Sequence, residues 1–146
     1  MRRVITKAAI VGSRSLESEL PFELIGKDMK QIISGGARGI DTSARNYAKK
    51  HHIQILEILP EYDLYGRSAP LRRNDWILTL SDIVYIFWDG KSHGANYMLK
   101  NCRKLNKPMK LFEFVDGRFV LTEEIPFSEA ESPDFLKNFV PTIIYE

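Results

Sequence analysis

The stretch 32-IISGGARGIDTSARNYAKK-50 decides how the chain is read. A β-branched pair runs into three glycines within five residues, Gly35, Gly36 and Gly39, and these open directly onto a helical pattern. Ala44, Tyr47 and Ala48 follow the 3.6-residue period, and Asp41 stands where a helix cap is expected. Strand, glycine turn, helix is the unit of a parallel α/β sheet.

Working outward, the same unit recurs. Lys7–Val11 reads as a short buried strand ending at Gly12, and Pro21–Met29 as a short helix with proline in its first turn. Ile53–Leu59 is a third strand, stopped by Pro60, and Ser68–Leu80 a helix with Pro70 near its start. Asp82–Trp88 (DIVYIFW) is the most strand-like run in the chain. Ser92–Leu105 is the best helix, because Ala95, Met98, Leu99, Cys102 and Leu105 share one face. Pro108–Phe114 supplies a fifth strand. Continuous apolar strands alternating with amphipathic helices predict an α/β fold, a Rossmann-like open, mainly parallel five-stranded sheet in the order 3-2-1-4-5 with helices on both faces.

Asp116-Gly117 marks a hairpin turn between Phe114-Val115 and Phe119-Val120-Leu121. The expected division is a Rossmann-like nucleotide-binding domain over 1–115, followed by a hairpin and an acidic appendage over 116–146 packed on the same domain. Glu123–Glu131 and the tail to Glu146 are acidic and carry Pro126, Pro133 and Pro141.

With 146 residues, 44% hydrophobic and 27% charged, one core is expected. No apolar run approaches the roughly 18 residues that span a bilayer, and the single cysteine, Cys102, suits a reducing compartment. The expectation is a cytoplasmic protein with no membrane partner. The net charge of +2 hides an asymmetry: residues 1–112 hold 19 of the 21 Lys/Arg and 11 of the 19 Asp/Glu, whereas the last 34 residues hold two basic and eight acidic side chains. A basic body predicts an anionic partner, either a phosphate-bearing small molecule or single-stranded nucleic acid.

In a doubly wound sheet, ligands bind beyond the carboxyl ends of the strands where the strand order reverses. Three glycine-bearing loops fall there: Gly12-Ser13-Arg14, Gly35-Gly36-Ala37-Arg38-Gly39, and Asp89-Gly90-Lys91-Ser92-His93-Gly94. Glycine lets backbone approach a phosphate, and amides at a helix start attract an anion. Gly12, Ser13, Gly35, Gly36 and Gly39 are expected to present amides, with Arg14 and Arg38 adding charge. Arg73 and Asn74, early in the fourth helical segment, would fix a sugar or a second phosphate. Asp89, Gly90, Ser92 and Gly94 would close the far side, with Asp89 placed for ribose hydroxyls. Trp88 and Tyr62, near strand ends, are candidates for stacking on a base.

The second loop is not a dinucleotide fingerprint. Ser34 stands where its first glycine belongs, and no acidic residue ends the third strand at the usual distance. His51-His52 point apart with no partner at zinc spacing, and no Ser/His/Asp order or nucleophile elbow occurs. No cofactor, metal or catalytic residue is assigned.

The set Gly12-Ser13-Arg14, Gly35-Gly36-Ala37-Arg38-Gly39-Ile40-Asp41, Arg73-Asn74 and Asp89-Gly90-x-x-x-Gly94-Ala95 resembles the SLOG superfamily over roughly residues 7–114. This Rossmann-like group includes the DNA-processing protein DprA and the "lonely guy" phosphoribohydrolases, and the chain is most similar to its YspA/YpsA-like branch. The resemblance implies a pocket for a nucleotide or nucleotide derivative, and self-association into a homo-oligomer. It also raises two alternatives, nucleoside-monophosphate N-glycosidase activity and DprA-like binding of single-stranded DNA. The phosphoribohydrolases carry P-G-G-x-G-T-x-x-E; in the corresponding run here Met98 stands at the glutamate position, while Arg73 fits their upstream arginine. Losing that carboxylate removes the group that would stabilise an oxocarbenium-like sugar or activate water.

Overall fold

The computed structural model describes residues 7–25 and 29–126. Six strands form one mixed sheet in the order β3-β2-β1-β4-β5-β6. β1 (Lys7–Gly12) lies at the centre, paired in parallel with β2 (Gln31–Ser34) on one side and β4 (Ile83–Trp88) on the other. β3 (Gln54–Glu57) extends the sheet beyond β2, and β5 (Met109–Val115) extends it beyond β4, both parallel. β1 and β4 are buried on both faces, which explains their unbroken apolar runs.

The helices segregate by face. α1 (Phe22–Ile25) and α2 (Ile40–Lys50) cover one side, where Ile25, Ile40, Ala44 and Tyr47 pack on Ala8, Ile10, Ile32 and Tyr85. α4 (Ala69–Leu80) and α5 (His93–Leu105) cover the other, where Ile77, Leu78, Ala95, Met98 and Cys102 pack on Ala9, Val11, Ile33 and Ile86. Alternate residues of β1 thus serve opposite cores, as the two-residue period of a strand requires. α2 ends with Lys49 and Lys50 in its last turn, where the helix dipole favours cations. α5 stops at Asn106, which adopts the left-handed conformation with φ 53°.

Four expectations need correction. The sheet has six strands rather than five, because the Asp116-Gly117 turn carries the chain straight back along β5 as β6 (Arg118–Ile125), antiparallel with an irregularity at Leu111/Phe112. Both turn residues have positive φ (50° and 81°), as a two-residue hairpin loop demands. Glu123 and Glu124 therefore belong to a strand: Glu123 pairs with Arg103 of α5, and Phe119 meets Phe87 edge-on at 5.0 Å. The acidic tail beyond Pro126 lies outside the described residues.

Second, α1 is four residues long, and Met29 lies outside it, just ahead of β2. Third, Asp41 is not the cap of α2. Gly39 occupies the cap position, and Asp41 in the first turn reaches back so that Oδ2 accepts the Ala37 N–H at 3.0 Å. Fourth, α3 (Tyr62–Tyr65) and a 3-10 turn (Gly66–Ser68) precede α4. Elements this short display no periodicity to read.

Candidate functional site

After β1 the chain turns one way to build β2 and β3, then returns past β1 to build β4. The loops leaving β1 and β4 therefore diverge and open a crevice of about 570 Å³ at the carboxyl ends of the strands. Gly12, Arg14, Gly35, Arg38 and Asp41 line it from the first two loops. Arg73, Asn74, Asp89, Ser92 and Gly94 line it from α4 and the β4–α5 loop. Ser13, Gly36, Gly39 and Gly90 do not.

The departures have physical causes. Ser13 is fully buried and its N–H donates to Phe87 O at 3.0 Å, so it has no amide to offer a ligand. Its Oγ instead accepts the Asp89 N–H at 2.9 Å and lies 2.9 Å from Ser92 Oγ, tying the two diverging loops together. Gly36, with φ 69°, faces β3: a side chain there would begin 2.6 Å from Leu59 Cδ2. Gly39, with φ 76°, is pressed against the backbone of Ser13 and Arg14: a Cβ there would fall 2.5 Å from Ser13 O. Gly90 turns the third loop in open space with φ 83°. These glycines shape the chain path rather than touch the crevice. Trp88 and Tyr62 also lie off it; Trp88 Nε1 donates to Ser92 O at 3.0 Å.

At the floor, Arg73 is only 6% exposed. Its Nη1 donates to Gly35 O at 2.6 Å and to Ile58 O at 3.2 Å, and its Nε donates to Asn74 Oδ1 at 2.8 Å. A Cβ on Gly35 would fall 2.3 Å from Arg73 Nη1 and 2.9 Å from Asp41 Oδ2, so the glycine is what lets both charged groups close on this loop. Burial pushes the Asp41 carboxyl up, against the pull of the Ala37 amide and the Arg73 charge. Burial pushes the Arg73 guanidinium down, with Asp41 opposing it. Each charge thus partly offsets the cost of burying the other at the base of the crevice.

The mouth is different. Arg14 and Arg38 are exposed, and neither forms an ion pair with any described residue. Ser92 caps α5 without a side-chain hydrogen bond, and among the described residues the His93, Gly94 and Ala95 amides have no acceptor. These amides and the positive end of the α5 dipole meet the crevice beside open space at Gly94.

Asp89 organises the third loop. Its Oδ1 accepts the Lys91 and Ser92 N–H groups at 2.8 and 2.9 Å, and its Oδ2 accepts Ser15 Oγ at 2.5 Å. Partial burial pushes the carboxyl up, but the hydrogen bonds from Ser15, Lys91 and Ser92 outweigh it and hold the group well below the ordinary carboxylate range. The expected ribose contact is thus a carboxylate already occupied on both oxygens.

Ser15, Pro70, Leu71, Ile77, His93, Ala95 and Met98 also line the crevice, with Val11 and Ala37, and were not singled out as site residues from sequence. Ile77 announces itself only as an inward position of its helix, whereas Ala95 and Met98 also fall in the run compared with the phosphoribohydrolases. They are core residues that also form an apolar wall, because the crevice cuts down between α4 and α5. Ser15 carries a faint signal, standing two residues beyond Ser13 in the same loop.

No family model, curated protein or solved structure matches the chain. Among the described residues no helix is long and apolar enough to cross a membrane.

Proposed function

We propose that the chain binds a nucleotide or nucleotide-derived ligand, with the phosphate at the mouth of the crevice. One observation carries this reading: Arg14 and Arg38, with no ion-pair partner among the described residues, line one crevice with the α5 amides that have no described acceptor, at the switch point of a mainly parallel sheet. An anion there satisfies orphan donors and neutralises exposed charge together. The apolar wall of Leu71, Ile77 and Met98 accommodates the remainder of an organic phosphate. The reading agrees with the resemblance to SLOG proteins, as Rossmann-like members holding nucleotides.

Binding is favoured over cleavage of an N-glycosidic bond. Met98 supplies hydrocarbon to the wall at the position where the phosphoribohydrolases carry glutamate. The two carboxylates on the crevice, Asp41 and Asp89, are both engaged by backbone amides. Binding of single-stranded DNA is less favoured, because no described aromatic side chain lines the crevice.

Isothermal titration with inorganic phosphate and the four nucleoside 5′-monophosphates tests the proposal. At least one should bind, and the double variant R14A/R38A should lose about tenfold or more in affinity, with weaker salt dependence. Absence of binding by all five, or an unchanged affinity in the double variant, overturns it.

A further inference from the structure

The crevice has two ends of opposite character, and this bears on which part of a ligand lies deep. At the floor, Arg73, Asn74 and Asp41 are 6%, 8% and 8% exposed, and all three line the crevice. Asn74 Oδ1 is committed to Arg73 Nε, but Asn74 Nδ2 makes no hydrogen bond to any described residue. Arg73 has spent Nε and Nη1 on Asn74, Gly35 and Ile58, and its Nη2 likewise donates to no described residue. Two donors of largely buried side chains therefore open onto the crevice with no acceptor among the described residues. Asp41 Oδ2 and Arg73 Nη1 both approach the point where a Gly35 side chain would begin, so charges of opposite sign face the floor together.

Resting on the reading of the crevice as a phosphate-ligand site, we propose that its floor takes an uncharged acceptor, such as a carbonyl or hydroxyl oxygen or a ring nitrogen. We further propose that Asp41 excludes a second anionic group from that position. A phosphate placed there would gain the Arg73 charge but face the Asp41 carboxylate in a poorly hydrated pocket, and the two effects cancel. A neutral acceptor meets both donors without that opposition. The acceptor group belongs either to a base or to a sugar, and the arms of the test separate these. Asp41 is a specificity residue in this account; nothing assigns it a part in a reaction.

The experiment measures affinities for inorganic phosphate, ribose 5-phosphate, the four nucleoside 5′-monophosphates and ribose 1,5-bisphosphate, using the full chain and the variants Asp41→Asn and Asn74→Asp. Asparagine at 41 keeps an acceptor for the Ala37 amide, and aspartate at 74 keeps an acceptor for Arg73 Nε while removing the free donor. Wild type should bind ribose 5-phosphate or a nucleoside monophosphate about tenfold or more tightly than inorganic phosphate, and should disfavour the bisphosphate relative to ribose 5-phosphate. If ribose 5-phosphate captures the whole gain, the acceptor is a sugar oxygen; if a monophosphate with its base is needed, the acceptor is on the base. D41N should shift the bisphosphate-to-monophosphate ratio about tenfold or more toward the bisphosphate, and N74D should cut the advantage over inorganic phosphate by a similar factor.

An unchanged ratio in D41N, or an unchanged advantage in N74D, overturns the inference while leaving phosphate binding at the mouth intact. Failure of every probe with wild type overturns the reading of the crevice itself. Circular dichroism melts of both variants establish that they fold; if D41N does not fold, the N74D ratio decides.

Discussion

Arg73 Nη1 donates to Gly35 O at 2.6 Å, joining the helix that follows β3 to the loop that follows β2. The contact exists because Gly35 has no side chain, and it sets an arginine and a carboxylate at the floor of the crevice beneath the exposed arginines of its mouth. Arg73, expected from the sequence as a ligand contact, also braces two loops through Gly35 O and Ile58 O.

Gly35→Ala should destabilise the fold by roughly 1–3 kcal/mol, since its Cβ would overlap the Arg73 guanidinium and crowd the Asp41 carboxylate. Gly94→Ala, in the first turn of α5 with open space around it, should be neutral or stabilising by up to about 1 kcal/mol. Chemical denaturation of both variants checks the contrast, and equal effects would contradict it.

Arg73→Met should cost roughly 2–4 kcal/mol, because it leaves Gly35 O, Ile58 O and Asn74 Oδ1 without their donor and removes a charge that favours the Asp41 carboxylate. Arg38→Ala, at the exposed mouth, should change stability by less than about 0.5 kcal/mol. Adding Asp41→Asn to Arg73→Met should recover part of the loss, as a double-mutant cycle will reveal.

Ser13→Ala leaves the Asp89 amide and the Ser92 hydroxyl without their shared partner, at a cost of roughly 1–3 kcal/mol. Hydrogen exchange at the Asp89 amide should accelerate more than at amides within β1. Uniform acceleration along the chain would instead indicate global destabilisation alone.

The two crevice carboxylates should respond to pH in opposite senses. Asp89, held below its ordinary value of 3.8, contributes stability that is present above that value and lost as pH falls toward its folded value. The deficit of Asp89→Asn relative to wild type should therefore be present at neutral pH and shrink below about pH 4. Asp41, pushed above 3.8 by burial, is most compatible with folding when protonated. Its contribution declines as pH rises from 3.8 through its folded value and is level beyond, so Asp41→Asn should remove a downward slope in that window. Melting temperatures measured across pH 2–7 decide both signs.

Much of the architecture was legible because buried parallel strands are written as unbroken apolar runs and their covering helices as a 3.6-residue stripe. Ala8–Val11 and Ile83–Phe87 could be read as central strands, and the Gly12, Gly35 and Asp89 loops could be placed at one end of the sheet. β6 was harder to see. On an exposed edge, its apolar run Phe119–Leu121 gives way to Thr122, Glu123 and Glu124 with no clean alternation, and the same glutamates that suggest a solvated tail are tethered by Arg103 and Lys110 from other elements.

The glycine loop shows where local pattern stops being informative. From the sequence alone, Gly35, Gly36 and Gly39 were equivalent presenters of amides. In three dimensions Gly35 makes room for Arg73 and Asp41, Gly36 turns toward Leu59, and Gly39 packs on the backbone of Ser13 and Arg14. Periodicity and turn chemistry sufficed to determine the order of elements and the end of the sheet where the glycine loops gather, because both depend on neighbours close in the chain. Which glycines face the crevice, which arginines keep their charge unspent and which carboxylates are already occupied depend on contacts across 38 to 76 residues, such as Arg73 with Gly35 and Ser13 with Asp89. Only the tertiary structure decided those.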